Sequence, residues 1–578
     1  MNITLNGINV KLFKISTFGI LNSAVITAKN LFEEYLKKTV GESEKPKATS
    51  GEILIGMDDS LPGDYDGVFI SLDGNKLLIT GSNYRSVIYA VLVFFEKYIG
   101  WRFLTPDCEI LTLKDDLSLR DFSYSYTSPF QYRLVLYQRF YSNDFYVKMK
   151  INSQFACDLP EKYGKGIFYA YGKEKEPFYY SAHTMGVYLP SEKYFEKHPE
   201  YFSLIDGVRC KDQPCLSNSE VFDLILKGVF ETLENTPEAK IVSVTQNDGE
   251  NFCHCEKCMA NIKKYHTQGA NEFLFVNRIA KAVAKKYPDV LVETMPYNYS
   301  TEPPVNFRFE KNVSVRIALM RMCREHTLTD ASCQYNVKMQ KFFRNWSKLS
   351  DNIYLWDYTA NFRFYILPIN NFKLLYQNMR FYRQFSVKGI MYQFEHDSDG
   401  DTCFAELWAY IQSKLLWEPD MSYTTYIGLI KEFLRLYYGD GWENLYDYIV
   451  LASNQPSSDY HYGPYAKAEN LLPFRNDGNG KVDTVFIDDA KTLYGKAKEK
   501  ATHEQADRID KSMLHLDYYE LCALYDYAMH SDEENKRKYR EKYTAFNAKM
   551  QKYSIKKIGE GKCFKSEYVE NLVDPNEI

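Results

Sequence analysis

The stretch ANEFLFVNRIAKAVAKKYPDVLVETMPY, residues 270–297, places an amphipathic helix (Ala270–Lys286) directly before a β-branched run (VLVETMPY, 290–297). The same alternation extends outward in both directions, from about residue 128 to 418. Candidate strands are QYRLVLYQ (131–138), KIVSVTQ (240–246), VLVETMPY, VSVRIALM (313–320), NIYLWDY (352–358) and KGIMYQFE (388–395). Helical segments lie between them at Ser219–Leu233, Ala270–Lys286, Gln334–Leu349, Phe372–Phe385 and Ala405–Leu416. Strands alternating with helices of this length predict βαβ units and a parallel sheet. Eight such units close into a (β/α)8 TIM-like barrel. Six are legible, so 150–215 must supply two more among inserted loops. An open doubly wound sheet is the competing arrangement, but no G-x-G-x-x-G follows any strand.

The flanks read differently. Leu21–Leu36 carries helical spacing and runs toward Gly41, EILIGM (52–57) is strand-like, and Gly67–Gly81 is a hairpin around Asp73-Gly74-Asn75. A helix from Tyr84 to Ile99, closed by Gly100, completes an α/β unit without a Gly-rich phosphate loop. That unit reads as a support. From 419 the pattern is helical, interrupted by SNQPSSDYHYGPYAKAENLLPFRNDGNGK (453–481), which predicts a long surface loop. The expected organisation is therefore an accessory α/β domain (1–122), a catalytic barrel (123–418) and a helical domain (419–578).

A chain of 578 residues allows three or four domains of about 150 residues each. Its 71 basic and 76 acidic side chains nearly cancel, so no basic excess exists to drive nucleic-acid binding. No apolar run is long enough to span a membrane. The N-terminus has no charged region followed by an apolar one, which points to a cytoplasmic protein with reduced cysteines; a chain whose leader had been trimmed for secretion would read the same. Aromatic residues reach 16%, with 49 Tyr and 37 Phe. They serve either as core filling or as the lining of a sugar-gripping cleft.

In a parallel barrel the working side chains stand at the C-terminal strand ends. There the chain places Arg133 and Arg139, then Asn247-Asp248-Gly249-Glu250, Glu293 and Tyr297, Arg321 and Arg324, Trp356-Asp357-Tyr358, and Glu395-His396-Asp397. Carboxyls, tyrosines and arginines converging on one rim suit glycosidic cleavage, where one carboxyl protonates the leaving oxygen and another meets the cationic centre. Each residue alone has an ordinary structural explanation: a turn, a solvated charge, or, for His183, a hydrogen-bonded core histidine. Their repeated placement at strand ends is what favours chemistry.

The densest motif is NDGENFCHCEKC (247–258). Cys253, Cys255 and Cys258 offer thiols at C-x-C-x-x-C spacing, and Cys215 or His254 could complete a structural zinc site. The alternatives are reduced cysteines bracing a loop, or a disulfide to Cys215 in an exported protein. No H-E-x-x-H or similar motif marks a catalytic metal.

At this motif the chain resembles a family of bacterial proteins catalogued as a domain of unknown function and related to glycoside hydrolases. The likeness runs over most of the chain. GSNYRSVIYAVLVFFEKYIGWRFLTP (81–106) is similar to the accessory domain before the barrel of α-glucuronidases and β-hexosaminidases. AHTMGVYLPSEKYFEKHPEYFSLIDGVR (182–209), QPCLSN (213–218), LWDY (355–358) and SKLLWEP (413–419) resemble further family blocks. Some relatives are similar to endo-β-N-acetylglucosaminidases acting on N-glycans. The resemblance implies that Asn247–Glu250 stands where α-glucuronidases carry their acid in an Asn-Ser-Glu-Gly turn. The carboxylate offsets differ, and the adjacent Asp-Glu pair of β-hexosaminidases is absent.

The resulting expectation is a glycoside hydrolase acting on an oligosaccharide or glycan, an N-acetylhexosaminide or a uronic acid-containing one among the candidates. Asp248 is the expected proton donor, made neutral by partial desolvation. Asp357 is its ionised partner, with Glu250, Glu293 and Glu395 in reserve. Arg133, His183, Asn247, Tyr297 and Tyr358 are expected to bind sugar, and Asp248, Tyr297, Asp357 and Glu395 to face one cleft. The chemistry needs no cofactor. A non-catalytic carbohydrate-binding barrel and a zinc-dependent hydrolase are the other readings.

Overall fold

A computed structural model describes residues 1–42, 49–61, 63–153, 159–166, 169–170, 182–398, 403–454, 461–471, 475–476 and 482–578. In the N-terminal unit, strands β1 (Phe13–Phe18), β2 (Gly51–Met57), β3 (Gly67–Asp73), β4 (Lys76–Gly81) and β5 (Phe122–Thr127) form one sheet in the order β5-β3-β4-β2-β1. Two helices, α1 (Ser23–Val40) and α2 (Tyr84–Phe94), pack on it. Asn22 caps α1, and a capping box between Asn83 and Ser86 starts α2. One π-helical turn, Phe95–Ile99, extends α2, and Gly100 stops it at φ 94°, in the left-handed region that favours glycine.

The central sheet has seven strands: β6 (Tyr132–Leu136), β7 (Tyr169–Ala170), β8 (Ile241–Ser243), β9 (Leu291–Thr294), β10 (Val313–Ala318), β11 (Ile353–Tyr358) and β12 (Gly389–Gln393). Their order is β6-β12-β11-β10-β9-β8-β7, and every neighbouring pair is parallel. The sheet curls into a half-barrel. Closure into eight strands is not found among the described residues, because 150–215 gives the sheet only the two-residue β7. The remainder of its described length forms short helices and a separate antiparallel hairpin, 202–205 with 208–214. Prolines at 190, 199 and 214 deny that stretch the amide donors a central strand needs.

Strand parity sorts side chains between the two faces. Glu293 pairs in register with Ser314, Arg316 with Tyr354, and Tyr358 with Gln393, all on the inner face. There Glu293 and Arg316 form an ion pair, with the guanidinium over the rings of Tyr132 and Trp356. The opposite parity (Arg133 with Ile390, Asp357 with Tyr392) faces the surrounding helices. These are α3 (Ser219–Asn235), α4 (Glu256–Tyr265), α5 (Ala270–Lys286), α6 (Gln334–Trp346), α7 (Asn371–Tyr382) and α8 (Ala405–Trp417).

The C-terminal part is helical: α9 (Tyr423–Tyr438), α10 (Trp442–Ser453), α11 (Val485–Glu499), α12 (His503–Ser512), α13 (Leu514–Met529) and α14 (Glu533–Lys552), with a hairpin at 557–563. Its core includes Phe364, Ile366, Leu367 and Ile369 from the loop after β11, so the half-barrel feeds directly into it. The surface loop expected at 453–481 needs correction where it is described. Tyr462 and Ala466 are buried, and the carbonyls of Tyr462 and Pro464 accept from the amides of Arg324 and Phe362. Among the described residues no helix is long and apolar enough to cross a membrane.

His515 in α13 makes this region pH-sensitive. Its Nδ1 lies 2.7 Å from the Ser512 carbonyl, the Tyr448 hydroxyl meets Nε2, and burial pushes its pKa down to about 4. The unfolded chain titrates near 6.5, so the folded state must keep a neutral ring where the unfolded one gains a proton. The stability this group contributes is present above about pH 6.5 and is lost as pH falls through 4, by roughly 3 kcal/mol. Thermal unfolding of the wild type should therefore drop more steeply between about pH 7 and 4.5 than that of His515→Gln. Equal slopes would show that the ring does not stay neutral.

Candidate active site

At the C-terminal end of β8 the chain is fixed from two sides. Val244 donates its amide to the Glu293 carbonyl, and the Ser300 hydroxyl donates to Gln246 Oε1. Gln213 of the 208–214 strand then grips Asn247 twice: Oε1 accepts the Asn247 amide at 3.0 Å, and Nε2 donates to the Asn247 carbonyl at 2.7 Å. The Asn247 side chain donates to the Asp212 carbonyl at 2.7 Å, so it anchors the turn. Gly249, at φ 130°, completes it and presents Asp248 to solvent.

Tyr297, at the end of β9, lies within electrostatic reach of Asp248; burial, then that carboxylate, push the phenol up to about 12. His183 sits 5.7 Å from the Tyr297 ring, centroid to centroid, with Nδ1 2.8 Å from the Gln246 carbonyl. That contact makes Nδ1 the donor and Nε2 the acceptor. Burial lowers the His183 pKa against the opposing pull of the carbonyl and Asp248.

The facing wall comes from β11, β12 and the C-terminal part. Trp356 and Tyr358 stack at 6.0 Å and 17°, and the indole N–H donates to Gln393 Oε1 at 2.8 Å. Tyr465 donates its hydroxyl to Glu560 at 2.5 Å and lies within electrostatic reach of Tyr297 and Asp248. Tyr358 in turn feels Tyr297, Tyr465 and Glu560. Glu560 stands on the 557–563 hairpin, its amide donating to the Phe362 carbonyl at 2.8 Å. Its Oε1 lies 3.5 Å from both Gln393 Nε2 and His396 Nε2. Burial, then the nearby Asp397, push the Glu560 carboxyl up, opposed by the Tyr465 hydrogen bond. Burial holds His396 down at about 4, so that ring is neutral at neutral pH.

Asp248, His183, Tyr297 and Tyr358 thus come together, with Asn247 behind them and Glu250 exposed beside them. Other expected residues do not join. Asp357 has the opposite parity from Tyr358 and points at the helices, where Arg324 ion-pairs with it and Tyr382 donates to it at 2.7 Å. Arg133, also outward, donates to Asp66 of the N-terminal unit and to the carbonyls of Phe130 and Lys150, so it joins two parts of the fold rather than reaching a ligand. Glu293 is below the rim in its pair with Arg316. Glu395 is buried, accepting from Ser398 at 3.3 Å. The desolvation expected for Asp248 is not found, since the residue is exposed; burial instead raises the carboxyl of Glu560 on the facing wall and that of Glu272, to about 8, which accepts from the Thr294 hydroxyl behind the strand ends. Glu560 and Tyr465 were not legible in the sequence, because only tertiary packing brings the C-terminal hairpin to the strand ends.

The family described as "Domain of unknown function (DUF4838)" matches residues 103–448, more than half of the sequence. The chain belongs to the DUF4838 family. Two solved structures align with this DUF4838 protein over nearly its whole length. One is a "GH138 enzyme targeting pectin rhamnogalacturonan II", with 10% identity, a TM-score of 0.45, and coverage of 94% of this chain and 92% of the other. The other is CpGH84D, with 12% identity, a TM-score of 0.43, and coverage of 100% and 96%. No curated protein matches the sequence.

Among the described residues of the DUF4838 chain, two side-chain clusters have metal-ligand chemistry. In the first, the sulfurs of Cys215, Cys253, Cys255 and Cys258 all lie within 4.8 Å of one another. A tetrahedral zinc with four thiolates sets its sulfurs about 3.8 Å apart, and Cys215 and Cys255 are 3.8 Å apart. Of the two expected fourth ligands the fold brings in Cys215; the His254 ring packs on Phe252 instead. The described cysteines are free thiols, so the disulfide alternative is not formed. The cluster fastens the 202–214 hairpin to the loop that carries Asp248, through the Leu204 amide on Cys253 Sγ and the His254 amide on the Leu204 carbonyl. The second cluster, Cys323, His326, Cys333 and His461, has ligands scattered over 139 positions and no compact spacing to announce it.

Proposed function

We propose that this DUF4838 protein is a glycoside hydrolase acting on an oligosaccharide or glycan at the strand-end cleft. The observation that carries the reading is the convergence of two carboxyls, Asp248 and Glu560, on one tyrosine wall of Tyr297, Tyr358 and Tyr465. Cleavage through an oxocarbenium-like transition state needs a carboxyl that keeps its proton and another that meets positive charge. Glu560, raised by burial and Asp397, is the proton donor to the leaving oxygen. Asp248, open to solvent, faces the anomeric carbon, by direct attack or through a water. Tyr297 stands beside Asp248, and His183 Nε2 and the Tyr358 hydroxyl take sugar hydroxyls.

These steps run through side chains alone. The Cys215, Cys253, Cys255 and Cys258 thiols would hold a structural zinc, whose role is to keep the Asn247–Cys258 loop, and with it Asp248, in place.

The test is a screen of aryl glycosides and oligosaccharides, N-acetylhexosaminides and uronides included, followed by a pH–rate profile on the best substrate. A proton donor must be protonated, so the wild-type rate should fall on an alkaline limb that Glu560→Gln lacks. An unchanged limb in Glu560→Gln removes that residue from the role. Glycan binding without turnover would instead make this a carbohydrate-binding protein, and a turnover rate that changes with the identity of the bound metal, rather than merely falling on chelation, would route the reaction through the metal.

A further inference from the structure

We propose a second metal site, in which Cys323, His326, Cys333 and His461 bind one tetrahedral divalent cation of zinc type and pin the 461–466 segment to the half-barrel. The ligand atoms of all four lie within 4.8 Å of one another. Cys323 Sγ is 3.4 Å from His326 Nδ1 and 3.6 Å from His461 Nδ1, and Cys333 Sγ is 3.5 Å from His461 Nδ1. With Zn–S near 2.3 Å and Zn–N near 2.05 Å, a tetrahedral ion sets S···N separations at about 3.6 Å. The three observed separations lie within about 0.2 Å of that value. Two thiolates and two neutral imidazoles leave a +2 ion with no net charge, which suits a site where Cys323, His326 and Cys333 are buried.

The scaffold around the ligands is organised independently of any ion. Asn336, near the start of α6, accepts the Cys323 amide at 3.0 Å and donates to the His326 carbonyl at 2.8 Å, shaping the turn between them. Cys333 is the N-cap residue of α6, so the start of that helix fixes its backbone. His461 comes from the other side, its ring against Tyr335 and His326. The neighbouring contacts show what the ion would secure: Tyr462 bonds Arg324 through its carbonyl and Glu325 through its hydroxyl, and Asn361 donates to the Ala466 carbonyl. Tyr465, held between these anchors, is the residue on Glu560. Metal binding itself does not depend on the glycosidase reading; only the consequence for Tyr465 does.

The experiment is elemental analysis of the full chain purified under reducing conditions with zinc present, beside Cys255→Ser for the four-thiol cluster and His461→Ala for this one. His461→Ala should lose one zinc per chain relative to wild type, and Cys255→Ser should leave that zinc in place. Because His461→Ala could fail to fold, wild-type protein and Cys255→Ser are also loaded with Co2+. Cobalt in Cys255→Ser should give the d–d and thiolate charge-transfer bands of a tetrahedral site with two sulfurs and two nitrogens. Wild-type zinc content in folded His461→Ala, a cobalt spectrum lacking tetrahedral bands in Cys255→Ser, or a Cys323–Cys333 disulfide in the protein as purified would each overturn the proposal.

Discussion

Asp248→Asn should lower kcat by on the order of 10² or more while leaving the affinity for an unreactive sugar nearly unchanged. The substitution keeps the shape but removes the charge that meets the anomeric centre. Its stability cost should be small, because Asp248 is exposed and the turn is held by Asn247, Gln213 and Gly249 instead. A folded Asp248→Asn with near-normal kcat would pass the role to a neighbour, Glu250 first.

Asp357→Asn should behave in the opposite way. The Asp357–Arg324 pair is buried between sheet and helices, so removing the carboxylate leaves a buried guanidinium facing a neutral amide, a loss of about 3–5 kcal/mol. The thermal midpoint should fall by several degrees or soluble yield collapse, and kcat per folded molecule should stay within a few-fold of wild type. A stable Asp357→Asn that had lost turnover by 10² would restore Asp357 to the chemistry. Arg324→Met combined with Asp357→Asn should recover part of the stability, because the orphaned charge is gone.

The contrast between these two aspartates shows what was legible. Six strands and five helices of the half-barrel could be read from periodicity, because buried parallel strands are continuous β-branched runs and their helices are amphipathic. Asp248, Tyr297 and Tyr358 followed from strand ends, whereas His183 lies on no strand and came from the 182–209 block of the family resemblance. Asp357 was misplaced although its parity was readable: it adjoins Tyr358 on one strand, so only one of the two can point inward. Arg133 carried the same signal, one position from the inward Tyr132. Glu560, Tyr465 and His461 were beyond reach, since each arrives from a segment more than 100 residues from the strand end it meets. The four-thiol cluster was readable because three of its members fall within six residues, whereas the Cys323, His326, Cys333 and His461 set has no such density.

The central claim is that the Asp248–Glu560 cleft breaks a glycosidic bond, and mass spectrometry of products formed in 18O-enriched water tests it most directly. Zinc-replete wild-type protein would be incubated with the oligosaccharide panel beside Asp248→Asn and Glu560→Gln at matched folded concentration. Wild type should release a sugar carrying one 18O at its new reducing end, and the two variants should yield at most about a hundredth of it. No labelled sugar from wild type on any member of the panel, or equal labelled product from Asp248→Asn, would contradict the account.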